Sequence, residues 1–371
     1  MDIVTTANFH ATLLPGHVSV VFVPAEHIRH GTWPLLNLLL YSGCSFDETE
    51  NSCVRKESHV CRSMQTEIFS IVSDREGATL FMDPSGIEMF KRAGMGNLIT
   101  IAPLSWRAVQ IHLGSMVVEF PGVVSFLSKL LADDHISILN MSTYDTDVIF
   151  VQEEDLEAAI SCLQSMLSRG LHGLKEAKDA DNALFNRKST SPPDAVEGSE
   201  KACIPVPLCV GDGQYLTVYP EPLVLVRLQK DALRSSAYGL TQLVLLYTGP
   251  ASREVEGEVL HETGGMSFWC CCETAEEVSI IMDERCVPSF EEDSLIVSPD
   301  RWRAIKLSGR AYGFDETGVV AAMSGCNTDT QVLNVSCYGS NIAFVLDDML
   351  DNAIDTLCSS LDISRVERWT S

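Results

Sequence analysis

The sequence predicts an α+β protein of four ferredoxin-like βαββαβ modules, arranged A-B-A-B by an internal duplication. Three observations carry this prediction. Matching segments recur in constant order at a nearly constant offset, strand-like and helix-like periods alternate in the same succession in the first two modules, and a Pro- and Ser-containing stretch separates the halves.

The duplication is the firmest of the three. Pro103-Leu104-Ser105-Trp106-Arg107-Ala108-Val109 matches Pro299-Asp300-Arg301-Trp302-Arg303-Ala304-Ile305, 196 residues later. Pro121-Gly122-Val123-Val124 matches Thr317-Gly318-Val319-Val320 at the same offset, and Ser142-Thr143-Tyr144 matches Ser336-Cys337-Tyr338 at 194. Upstream, Leu39-Leu40-Tyr41-Ser42-Gly43 resembles Leu245-Leu246-Tyr247-Thr248-Gly249, and Phe81-Met82-Asp83 resembles Ile281-Met282-Asp283. The modules are expected at residues 14–102, 103–171, 205–299 and 300–371. The stretch 172–204, with Pro192-Pro193 among Ser, Thr and Gly, is expected to be a flexible linker.

In the first module, residues 17–23 are β-branched and strand-like, and 34–41 are helix-like with Pro34 in the first turn. Residues 67–73 and 78–83 flank Arg75-Glu76-Gly77 as a hairpin, followed by a short helix at 84–91 and a strand at 97–101. In the second module, residues 109–113 form a strand. Val123, Val124, Phe126, Leu127, Leu130 and Leu131 mark one helical face. Strands follow at 135–141 and 148–152. Glu153-Glu154-Asp155 then places acids in the first turn of a helix, where the helix dipole favours them.

Composition narrows the function. Among 371 residues, 26 Lys and Arg against 51 Asp and Glu give a net charge of −25, which argues against nucleic acid and anionic membrane as partners. The start of the chain does not read as a signal peptide, and its apolar runs are too short for a membrane helix, so a cytoplasmic location is expected. The 13 cysteines are then expected to be free thiols. Cys44, Cys53, His59 and Cys61 lack the close pairing of a zinc site, and His27 with His30 reads as a surface pair. None of the sequence motifs of hydrolases, nucleotide-binding loops or zinc peptidases occurs, so no catalytic residue, metal or cofactor is expected.

One segment is suited to a ligand. Gly313-Phe314-Asp315-Glu316-Thr317-Gly318-Val319 joins a strand to a helix, where free N–H groups suit a carboxylate and Gly318 permits close approach. Its counterpart, Phe120-Pro121-Gly122-Val123, has lost one donor to proline. The two glycines also fit a purely structural role in tight turns.

The run Phe120 to Val124, with the helix after it and His135-Ile136-Ser137-Ile138, resembles an ACT domain, a small module that commonly binds amino acids at its interfaces. More specifically, residues 135–155 together with Gly313-Phe314-Asp315-Glu316 and Gly318-Val319-Val320-Ala321 resemble the CASTOR family, cytosolic arginine sensors of the TOR pathway. The resemblance spans both halves and is closest in modules two and four. It implies four ACT modules, a homodimer formed through modules one and three, and one free amino acid held between modules two and four. It also implies a GATOR-type regulatory complex as partner, released by arginine.

Carried over by position, Ser137 and Ile138 would touch the ligand from module two. Gly313, Phe314, Glu316, Thr317, Gly318 and Val319 would hold its α-amino and carboxylate end, with Glu316 on the ammonium. Cys337, Tyr338 and Asn341 would line the side-chain end. Tyr144, Asp145 and Asp147 fall where the family meets its partner. The chain departs from the pattern at Asn341, where the family has an Asp that pairs with guanidinium. Losing that charge weakens arginine binding by about tenfold or more, leaving arginine or another amino acid as the ligand. The other readings are a ligand-free interaction scaffold with a degenerate pocket, and the regulatory part of an enzyme.

Overall fold

The computed structural model describes residues 2–5, 10–41, 67–112, 123–168, 213–246, 267–325 and 331–369. The expected linker, the loop containing Pro121 and Gly122, and Cys44, Cys53, His59 and Cys61 lie outside these residues.

The first half runs β1 (Asp2–Thr5), β2 (His10–Leu13), β3 (Ser19–Pro24), α1 (Thr32–Tyr41), β4 (Phe69–Asp74), β5 (Gly77–Met82), α2 (Pro84–Arg92), β6 (Thr100–Ile101), β7 (Trp106–His112), α3 (Val123–Asp133), β8 (Ile138–Ser142), β9 (Thr146–Gln152) and α4 (Leu156–Ser168). The second half runs β10 (Tyr215–Val218), β11 (Leu223–Leu228), α5 (Ala237–Leu246), β12 (Phe268–Glu273), β13 (Val278–Asp283), β14 (Leu295–Ser308), α6 (Val319–Ser324), β15 (Leu333–Cys337), β16 (Ser340–Leu346), α7 (Leu350–Leu361) and β17 (Val366–Arg368).

Module one forms the antiparallel order β6-β3-β5-β4. Module two is completed from elsewhere: the strand beside β7 is β2, from the start of the chain, with β1 outside it. Residues 10–13 precede the range expected for any module. Module four follows the same plan, with β10 beside β14 and β17 parallel on the outer edge of β10. In module three the second helix is a 3-10 segment, Glu284–Ser289, containing Pro288. A proline inside a helix removes a donor and clashes with the preceding turn.

β14 serves two modules. Its start pairs with β11 and its end with β10 and β16, and the register shifts between the partners of Val224 and Val226. Pro299 lies in that shift, as expected for a residue that cannot donate to a ladder. The matching run of the first half is divided into β6 and β7 around Pro103.

Modules one and three join edge to edge through β4 and β12, six antiparallel pairs from Phe69↔Glu273 to Asp74↔Phe268. Modules two and four meet at β8 and β15 through a single backbone pair, Met141↔Val335. Side chains complete that seam. Asn140 N–H donates to Ser336 Oγ at 2.9 Å, and Asn334 N–H donates to Ser142 Oγ at 3.0 Å. Asn140 and Ser142 occupy the positions of Asn334 and Ser336 in the repeat, so the seam is locally two-fold.

The two sheets face each other. Trp106, Trp302, Phe81, Phe150, Phe268 and Phe344 fill the space between them, with Phe81 stacked on Phe150 at 4.6 Å. The outer faces carry the helices. α1, α2 and α5 cover modules one and three, while α3 and α4 cover module two and α6 and α7 cover module four. The result is four layers, α/β/β/α, with residues of one face of each strand buried between sheets and the other under helices.

Candidate functional site

The segment after β14 is shaped by its glycines. Gly318 caps α6 with φ +83, a left-handed conformation that costs any other residue strain. A Cβ on Gly313 would meet Asp315 Oδ1 at 2.5 Å. α6 itself has six residues, so the helix start expected here exists but is short. Ala322 N–H already donates to Gly318 C=O at 2.9 Å.

This loop is clamped to module two. Ser137 Oγ donates to Glu316 C=O at 3.1 Å, and Gln152 Nε2 donates to Phe314 C=O at 2.5 Å. The Phe314 ring stands edge-on to Trp106 and Tyr338, at 5.9 and 5.2 Å between centroids. Beneath the loop lies a cavity of about 20 Å³, room for about one water.

Of the residues singled out in the sequence, Ser137, Ile138, Gly313, Phe314, Glu316, Val319, Cys337 and Asn341 line this cavity; Thr317, Gly318 and Tyr338 do not. Sequence reasoning missed Leu139, Tyr312, Val320, Ser336, Gly339 and Ser340, which also line it. Gly339, at φ +71, carried a readable signal, because a β-turn needs such a residue. Ser137 was expected on a strand with His135. Instead His135 is at φ +61 and closes α3, its N–H donating to Ala132 C=O while Ile136 N–H donates to Leu131 C=O. That helix ending uses a left-handed residue, so the strand begins only at Ile138.

The polar groups are already engaged. Glu316 accepts from Gly313 N–H at 2.7 Å and from Arg310 Nη2 at 2.6 Å, and Arg310 lies over the Tyr312 ring at 4.3 Å. A carboxylate has further lone pairs, so an ammonium could join this set. Asn341 and Asn334 exchange two carboxamide bonds of 2.6 and 2.8 Å, and Asn341 also donates to Ser336 Oγ. Burial pushes the Cys337 thiol up to about 12, so it is neutral. The inner end of the cavity therefore holds no carboxylate from the residues that line it.

Tyr144, Asp145 and Asp147 cluster at the β8–β9 turn, facing module three. Asp145 is held by Arg227 at 2.6 Å. Asp147 stands where the repeat has Asn341. Burial raises its carboxyl to about 6, aided by the charge of Glu277, and Oδ1 is enclosed without a hydrogen-bond partner. Among the described residues, no three His, Cys, Asp or Glu side chains are grouped to hold a metal, and no helix is long and apolar enough to cross a membrane.

Known proteins resemble this arrangement. The family model of the ACT domain matches residues 101–165 and 297–359, the second and fourth modules. A Rattus norvegicus protein named cytosolic arginine sensor for mTORC1 subunit 1 is 27% identical over 300 residues, 78% of this chain and 85% of its own. The Homo sapiens protein of that name is 26% identical over 309 residues, 80% of this chain and 87% of its own. Aspartate kinase from Synechocystis aligns with 97% of this chain and 57% of its own at 11% identity, with a TM-score of 0.31. The duplicated modules and these matches agree: modules two and four match the ACT domain, and the chain is similar over about four fifths of its length to the cytosolic arginine sensors for mTORC1.

Proposed function

We propose that the chain is a non-catalytic, cytosolic amino-acid sensor that holds one free amino acid between modules two and four and regulates a GATOR-type partner in TOR nutrient signalling. The observation that carries this is the convergence of three segments on one cavity: Ser137 and Ile138 from module two, Gly313 to Glu316 from the loop, and Cys337 and Asn341 from module four. The loop contributes the acid and the backbone groups that suit an α-amino acid.

The lining favours an amino acid with an uncharged side chain. Asn341 replaces the carboxylate that guanidinium would need, and its amide is matched to Asn334. A cavity of one-water size admits an amino acid only when the loop moves. The bonds that must then exchange are those of Ser137 to Glu316 and Gln152 to Phe314, which tie module two to module four. Ligand binding would thus alter the seam beside Tyr144, Asp145 and Asp147, the proposed partner contact, and so couple the two sites.

A scan of the twenty amino acids by thermal shift tests the reading: uncharged ligands should raise the midpoint, and Glu316→Ala should abolish the response. No response from any amino acid would favour the second reading, a ligand-free scaffold. The engaged state of Glu316 and Asn341 is the observation in its support.

A homodimer belongs to the same proposal. Trp33 on α1 and Tyr238 on α5 are 67% and 66% exposed on the outer helical face of modules one and three, where those two helices pack side by side. Trp33→Ser with Tyr238→Ser should give a monomer by light scattering; an unchanged dimer would place the interface elsewhere.

A further inference from the structure

The duplication provides an internal comparison for each buried charge. Lys306 on β14 points between the sheets. Its Nζ donates to Asp74 Oδ2 at 2.5 Å and Glu76 Oε2 at 2.7 Å, both at the β4–β5 turn. The Tyr219 hydroxyl donates to the same Asp74 oxygen at 3.2 Å. Here a lysine of module four neutralises acids of module one.

The same position in the other half is Gln110. Each residue stands four after the repeated tryptophan. Each pairs with the matching residue of the next strand, Val148 or Ile342, and with a threonine of the added strand, Thr12 or Thr217. The turn facing Gln110 is the β12–β13 turn of module three, and its buried acid is Glu277, at the last turn position rather than the first. Thr143 occupies the place of Cys337, on which the Lys306 charge acts.

Gln110 brings no charge, and Glu277 is left without the ammonium. Glu277 and Gln110 are each 2% exposed. Glu277 Oε1 accepts from Thr143 Oγ1 at 2.6 Å, from Thr146 Oγ1 at 3.4 Å and from Asp145 N–H at 3.4 Å. Its Oε2 is enclosed and has no hydrogen-bond partner. Gln110 Nε2 donates to Thr146 Oγ1 at 3.4 Å. The charge of Arg227 reaches Glu277, but its guanidinium holds Asp145 at 2.6 Å and makes no hydrogen bond to Oε2, while Lys230 holds Glu273 at 3.5 Å and the carbonyls of Thr274 and Ala275. Asp147, whose Oδ1 is also enclosed and unpartnered, adds further negative charge.

The geometry points to a binding site for a small monovalent cation, ammonium or potassium, at Glu277 Oε2, with Thr143, Thr146 and Gln110 around it. The ion stands where the other half places the ammonium of Lys306. The Glu277 carboxylate and the two threonine hydroxyls are oxygen donors, which suits a hard cation, and Gln110 Nε2 orients the Thr146 hydroxyl beside them. One carboxylate at the ion calls for one positive charge. The burial of all four residues, Thr143 at 3% and Thr146 at 5% exposed, suits an ion rather than a side chain entering from outside. A buried carboxylate with one oxygen left unpartnered is destabilising, and a cation at that oxygen removes the penalty.

The test is thermal melting of the full chain at fixed ionic strength in choline, ammonium or potassium chloride. Choline, a bulky quaternary ammonium, is the reference cation. The midpoint should rise by about 3 °C in the smaller ions and saturate with their concentration. The larger of the two shifts identifies the ion. Gln110→Lys should raise the midpoint in choline and abolish the dependence on salt identity; Glu277→Gln should abolish the dependence as well. Equal midpoints of the unaltered chain in all three salts would overturn the proposal, as would an undiminished ion response in Gln110→Lys. None of these readings involves an amino acid, so the result stands apart from the proposed sensor function.

Discussion

Replacing Lys306 with methionine should destabilise the protein strongly, and the structure says by how much. Lys306 ties module one to module four through Asp74 and Glu76. Glu76 is largely exposed and loses little when the ammonium goes, because water replaces it. Asp74 is buried, retains only the Tyr219 hydroxyl and the Glu76 N–H, and is left as an unpaired charge between two sheets. Removing one partner of a buried pair costs about 3–5 kcal/mol. At about 2 °C per kcal/mol for a chain of this size, the melting midpoint should fall by roughly 6–10 °C. Adding Asp74→Asn to Lys306→Met removes the orphaned charge and should restore most of that loss, since a neutral pair of similar shape escapes the desolvation penalty. Urea unfolding followed by circular dichroism at pH 7 measures both variants. A loss under about 1 kcal/mol for the single variant, or a double variant no better than the single, would refute the reasoning.

Three further outcomes follow from single features. Gly318→Ala should cost about 1–2 kcal/mol by urea unfolding, because φ is +83 there while the nearest atom to an added Cβ is 4.0 Å away, so the penalty is conformational and not steric. Ser142→Ala should leave the buried Asn334 N–H without its acceptor, costing about 1–3 kcal/mol and speeding amide exchange at Asn334. Asp147 should make stability fall as pH rises. Its folded carboxyl titrates near 6, above the unfolded value of about 4, so the folded state binds more protons in that window and its contribution is lost as pH climbs from about 4 to about 6. Asp147→Asn, which copies the Asn341 side of the repeat, should flatten that stretch of the stability profile measured by urea titration.

The periodicities in the sequence reached the local elements well. The hairpin around Arg75-Glu76-Gly77, the short helix opened by Pro84 and the helix of Leu127 and Leu131 all depend on spacing within a few residues, and all are present. What was hidden depends on contacts between distant residues. No local pattern shows that His10–Leu13 lies beside β7, or that β4 and β12 form one continuous sheet. The strand at His135 was misjudged because a left-handed histidine has no signature as clear as glycine. The loop from Gly313 to Gly318 was legible from its glycines and acid. Arg310, Tyr312 and Asn334 were not, since nothing in their own neighbourhoods says that Arg310 pairs with Glu316 over the Tyr312 ring or that Asn334 pairs with Asn341. The repeat exposed the Lys306 and Gln110 difference in principle. Its meaning required knowing that both face acids across the sheets.

The central claim is that the cavity between modules two and four takes an amino acid with an uncharged side chain, because Asn341 supplies no charge for a guanidinium. Calorimetric titration of uncharged amino acids and arginine into the unaltered chain and Asn341→Asp tests it most directly. The account predicts one site per chain, filled by an uncharged amino acid more tightly than by arginine, with the preference moving toward arginine by about tenfold or more in Asn341→Asp. Arginine binding tightest to the unaltered chain, or no heat from any amino acid with the folded protein, would contradict it.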